Sequence, residues 1–125
     1  MRRFEENSMR IEVRGDNVTV PEHTAQIVDR KTRLALGRMG AAIRNVRVVI
    51  KDLNGPKQGV DQRCSIQVQL NRGGEVHVSA DEQALHDAID RALDRAARST
   101  ARLLARRQDF SRQGLRATPA DGARY

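Results

Sequence analysis

The chain has 125 residues, with 23 Lys and Arg against 16 Asp and Glu, a net charge of +7, two Phe, one Tyr, no Trp and a single Cys. That length holds one hydrophobic core, a lone cysteine excludes an internal disulfide, and no apolar run nears the roughly 20 residues of a membrane span. So positive a chain with so few stacking groups points to a phosphate-rich partner rather than to a single-strand stacking mode, and with no apolar segment of signal type after Arg2 and Arg3 the expected compartment is the cytoplasm.

Residues 1–8 are polar and unpatterned and read as a flexible N-terminal extension. Met9, Ile11 and Val13 alternate with Arg10, Glu12 and Arg14, the period of a half-buried strand, until Gly15, Asp16 and Asn17 break it. Pro21 suits the first turn of a helix, and Ala25, Val28, Thr32, Ala35, Leu36 and Met39 give that helix an apolar face ending among Gly37 and Gly40. Val46, Val48 and Ile50 mark a second strand, and the Gly- and Pro-containing stretch Leu53 to Asp61 a loop. Cys64, Ile66, Val68 and Leu70 alternate with Arg63, Ser65, Gln67 and Gln69 as a third strand. Asn71 to Gly74 supply a turn, and Val76 and Val78 face inward on a fourth, short strand, Glu75 to Ser79.

The longest patterned segment follows. Asp81 reads as the N-cap of a second helix reaching Gln108, and Leu85, Ile89, Ala92, Leu93, Ala96, Thr100 and Leu103 fall in one arc of its wheel. Arg91, Arg95, Arg98, Arg102 and Arg106 fall in a second arc, about a third of a turn away. Asp87 and Asp94 precede Arg91 and Arg98 by four residues, pairs that support a helix by roughly 0.2 to 0.5 kcal/mol each. A row of arginines is ordinarily a solvated face. Here the acids are confined to the first half, which leaves a linear positive ridge suited to phosphates. Residues 111–125, rich in Gly, Arg and Ala, read as a disordered tail.

The order is strand, helix, strand, strand, strand, helix, which implies a two-layer α+β domain over residues 9–110, a four-stranded mixed sheet with both helices on one face. His23, His77, His86 and Cys64 have no metal-ligand spacing, and Cys64 on an inward face behaves as a small hydrophobe. Gly73 and Gly74 do not open a helix with phosphate-loop spacing. Neither an enzyme nor a cofactor or small-molecule site is expected. The remaining candidate is the basic surface of the second helix, with Arg30, Lys31, Arg33 and Arg38 added by the first, the two outer faces forming one positive patch. A basic face of this kind also suits a general double-stranded RNA binder, and a module acting on transcription through an acidic partner is a third reading.

Three stretches carry a family resemblance. GGEVHVSADEQALHDAIDRALDRAARSTARLLARR, from Gly73 to Arg107, MRIEVRGDNVTVPE, from Met9 to Glu22, and VRVVIKDLNG, from Val46 to Gly55, resemble the ribosome hibernation promoting factors, also called ribosome-associated inhibitor or ribosomal subunit interface proteins. His86 stands where that family usually has an aromatic residue. The resemblance implies a βαβββα fold and a protein that binds the small ribosomal subunit in the channel for messenger and transfer RNA, blocking translation and preserving idle ribosomes. It implies ribosomal RNA contacts at Arg91, Arg95, Arg98, Arg102 and Arg106 of the second helix and at Lys31 and Arg38 of the first. Residues 111–125 are too few and too polar for the C-terminal dimerisation domain of the family's long form, so no such domain is expected.

Overall fold

Each alternating run forms a strand because one of its faces has somewhere to hide. In the computed structural model, which describes residues 2–6, 9–53 and 61–116 and the side chains of 9–53 and 61–108, these are β2 (Met9–Gly15), β3 (Ile43–Asp52), β4 (Gln62–Leu70) and β5 (Glu75–Glu82). A further strand, β1 (Arg2–Glu6), precedes them, and two helices, α1 (Glu22–Leu36) and α2 (Leu85–Arg116), complete the domain. The sheet order follows the sequence, β1-β2-β3-β4-β5, with β2 and β3 parallel and every other neighbour antiparallel. Joining a parallel pair takes a long crossover, and α1 supplies it.

Both helices lie on one face. α1 packs on β2 and α2 on β4 and β5, and the helices touch along a seam. Between the layers sit Met9, Ile11, Val13, Val46, Val48, Ile50, Cys64, Ile66, Val68 and Leu70 from the strands, against Ala25, Val28 and Leu36 of α1 and Ala88, Ile89, Ala92, Leu93 and Ala96 of α2, all buried. Burial pushes the Cys64 thiol up to about 12, so it packs as a small apolar group.

The expected βαβββα core is present, with a fifth strand added to its four. Residues 2–6, expected in a flexible extension, pair antiparallel with β2 and occupy what would otherwise be the edge of the sheet. An edge strand exposes a row of unpaired backbone groups, and pairing satisfies them whatever the side chains are. A second correction concerns Asp81: it lies within β5, not at a helix cap, and α2 starts four residues later. α2 also runs on to Arg116, into the stretch expected to be a tail, while residues 117–125 and the loop residues 54–60 lie outside the described residues.

One core position is ill matched to its surroundings. Thr100 is fully buried in the α2 stripe, and its hydroxyl has no hydrogen-bond partner among the described residues. A buried hydroxyl left unpaired costs roughly 1 to 3 kcal/mol. Thr100→Val keeps the branched shape and should raise stability by about 1 kcal/mol, read as a higher urea midpoint at unchanged slope.

Candidate nucleic-acid interface

The two stripes of α2 separate cleanly. Ile89, Ala92, Leu93, Ala96 and Thr100 are buried, Leu85 and Leu103 half-buried, and Arg91, Arg95, Arg98, Arg102 and Arg106 are all exposed. These arginines share the flank of α2 that faces the free edge of β5. Arg91 pairs with Glu82 at 2.8 Å, and Arg95 donates from Nη1 to the Ser79 carbonyl at 2.6 Å, both on that strand. Arg98 pairs with Asp94 one turn earlier at 3.2 Å, an exposed pair of little energetic weight. Arg102 and Arg106 make no side-chain hydrogen bond or ion pair with the described residues. Availability for an outside phosphate therefore rises along the helix.

Charge rises in the same direction. The first half of α2 mixes Asp87, Asp90 and Asp94 with Arg91 and Arg95, whereas residues 97–108 hold Arg98, Arg102, Arg106 and Arg107 and no acid. Acids near a helix N-terminus and bases toward its C-terminus each complement the macrodipole. Residues 97–108 of α2 thus concentrate positive charge that, beyond the exposed Arg98–Asp94 pair, no described carboxylate offsets.

The two residues expected to contribute from the first helix stand apart from this ridge. Lys31 donates to Asp90 at 2.7 Å across the helix seam, on the opposite flank of α2. Arg38 is exposed but lies in the 3-10 turn Gly37–Ala42 that follows α1. The continuous two-helix patch is therefore interrupted at the seam by an ion pair.

The open sheet face carries Arg10, Arg14, Arg47, Lys51 and Arg63, and three of these are paired with acids on the same face. Arg47 pairs with Glu12 at 3.4 Å and Lys51 with Asp16 at 3.8 Å. Arg63 forms a two-pronged pair with Asp81, at 2.8 and 3.0 Å, across β4 and β5. Hydrogen bonding from Arg63 holds the Asp81 carboxyl below its ordinary value, so this cross-strand link is present at neutral pH and is lost as pH falls through that lowered value. Glu75 is lowered in the same way, first by its hydrogen bond with His77. The shallow depression between Arg47, Ser65, Gln67, His77 and Ser79 has mixed chemistry and no concentrated charge. No cluster of three or more metal-ligating side chains occurs among the described residues, and no helix among them is long and apolar enough to cross a membrane.

Two basic residues escape a reading by sequence alone. Arg107 donates from Nη2 to the Gly73 carbonyl and, with Arg72 of the β4–β5 turn, stands at the end of the domain where α2 passes that turn. Gly73 and Gly74 have φ of 90° and 95°, a backbone conformation that favours glycine, and a Cβ on Gly74 would meet the movable Nη2 end of Arg107 at 2.6 Å. A signal existed for Arg107. It falls eighteen residues after Ile89, about five turns, so a charged residue sits on the apolar arc.

A family model described as Sigma 54 modulation protein / S30EA ribosomal protein matches residues 11–108. The crystal structure of the N-terminal domain of Protein Y from Thermus thermophilus is 30% identical to this chain, with a TM-score of 0.60, covering 74% of this chain and 94% of that one. The structure of a ribosomal subunit interface protein from Coxiella burnetii has the same fold at 14% identity, with a TM-score of 0.62, covering 76% of this chain and 97% of that one. No curated protein matches the chain.

Proposed function

Because this chain belongs to the Sigma 54 modulation protein / S30EA ribosomal protein family, we propose that it is a non-enzymatic, cytoplasmic ribosome-binding protein that sets the arginine flank of α2 against RNA of the small subunit. Docked in the channel for messenger and transfer RNA, it would block translation and keep idle ribosomes intact. The observation that carries the reading is the exposed row Arg98, Arg102 and Arg106, the last two without a described partner, on a stretch of helix holding no described acid. Guanidinium groups three and four residues apart on a helix project in one line, and a line of fixed positive charge suits consecutive phosphates. Arg91 and Arg95 would add to it by exchanging Glu82 and Ser79 for phosphate. Lys31 and Arg38 are assigned peripheral contacts.

The test is cosedimentation of the purified protein with vacant ribosomes on sucrose gradients at stepped salt. Binding through phosphates falls linearly in log K against log salt, with a slope of about −0.7 to −0.9 per phosphate neutralised. Four such phosphates give a slope of about −2.8 to −3.6, so affinity should fall roughly fiftyfold to a hundred-and-fiftyfold over a fourfold rise in salt. Absence of comigration at low salt would overturn the reading, and equal affinity for a plain RNA duplex would replace it with general duplex binding.

A further inference from the structure

Where α2 crosses the β4–β5 turn, the 3-10 turn Gly37–Ala42 approaches from the other side, and the three segments line an open pocket of about 450 Å³. Ala41, Ala42 and Leu104 give it an apolar floor, and Asn71, Arg72 and Arg107 its polar rim, with Gln108 beside them. The rim is held in place. Asn71 donates from Nδ2 to the Ala41 carbonyl at 2.7 Å, its backbone N–H donates to the Ala42 carbonyl at 2.9 Å, and Arg107 is tied to the Gly73 carbonyl. The size is that of pockets that take small ligands, which are commonly apolar with a few convergent polar groups.

Arg72 and Arg107 have no ion pair with any described residue, and Arg38, Arg44 and Arg106 lie on the elements that meet at this end of the domain. A ligand that brings an apolar flat surface together with negative charge satisfies both features. An unstacked base does so, its face on alanine and leucine and its phosphates toward the guanidinium groups, which also stack on bases. An acidic peptide would supply charge but leaves the apolar surface of Ala41, Ala42 and Leu104 unused. We propose that this pocket takes one unstacked nucleotide of an RNA strand, its base seated on Ala41, Ala42 and Leu104 and its phosphate met by Arg72 and Arg107. The proposal rests on the RNA-binding reading and adds a base-accepting site to a surface otherwise built for phosphates.

The probes are adenosine 5′-monophosphate and ribose 5-phosphate, each titrated at millimolar concentration into the full chain while its backbone amide signals are followed by NMR. The adenine nucleotide should shift Ala41, Ala42, Asn71 and Leu104 and bind about tenfold tighter than the sugar phosphate, the value of roughly 55 Å² of base face removed from water against the alanine and leucine side chains. Ala41→Gln, at an exposed position, sets a polar amide where the base would rest and should abolish the nucleotide's advantage while leaving the remaining spectrum in place. Equal shifts from both probes would reduce the site to a phosphate contact and overturn the proposal, as would no shift from either. Stronger displacement by an acidic hexapeptide than by the nucleotide would overturn it in favour of a protein partner. Wild-type ribosome cosedimentation, run in parallel, separates the two readings: comigration with no pocket shift defeats this proposal alone, whereas pocket shifts without comigration defeat the ribosomal reading and keep the nucleotide site.

Discussion

Changing Arg98, Arg102 and Arg106 together to Glu should lower affinity for the small ribosomal subunit at least about a hundredfold while the fold survives. The three side chains are exposed, and only Arg98 has a described partner, Asp94, whose exposed pairing is worth little. Removing them therefore takes nothing from the core. An exposed arginine meeting a phosphate is worth on the order of 1 kcal/mol after solvent screening, and three together give a factor near a hundred before repulsion from the new carboxylates is counted. Stability should change by no more than about 0.5 kcal/mol per site, as for surface substitutions generally. The readout is a pair: the cosedimentation isotherm at moderate salt and the urea midpoint. Comigration equal to wild type would show that the flank is not the interface. Arg91 and Arg95 are left out of this variant deliberately, because a Glu at either position would also face Glu82 or abandon the Ser79 carbonyl and so mix docking of α2 with binding.

The family fold was readable because burial leaves a period in the sequence. Ile11, Val13, Val46, Val48, Ile66 and Val68 alternate with polar neighbours on strands, and Ile89, Ala92, Leu93 and Ala96 repeat at helical spacing. β1 left no such trace: Arg2, Arg3, Glu5 and Glu6 surround a single Phe4, and the strand forms through backbone pairing with β2. Asp81 imitated a helix cap because the same residue type serves as a cap and as a partner for a cross-strand arginine. The ridge on α2 was visible because it is local, spaced by three and four residues. Its interruption by Lys31 and Asp90, and the pocket joining Ala41, Asn71 and Arg107, depend on contacts between residues 30 or more apart, which no local window contains.

Ile89→Ala should do the reverse of the arginine variant. Ile89 is fully buried beneath α2, and cutting its side chain to a methyl group leaves a cavity that typically costs 2 to 5 kcal/mol, roughly a third of what holds a domain of this size together. The urea midpoint should fall sharply at nearly unchanged slope. Leu34→Ala, at a position 79% exposed, is the matching control and should barely move it. The arginines are untouched, so the folded fraction of Ile89→Ala should bind ribosomes with wild-type affinity and wild-type salt slope once corrected for the unfolded population. One helix would then give two separable phenotypes, weaker folding through its inner stripe and weaker binding through its outer one. If Ile89→Ala instead bound poorly while keeping its midpoint, the inner stripe would be contacting the partner, and the assignment of faces on α2 would have to be reversed.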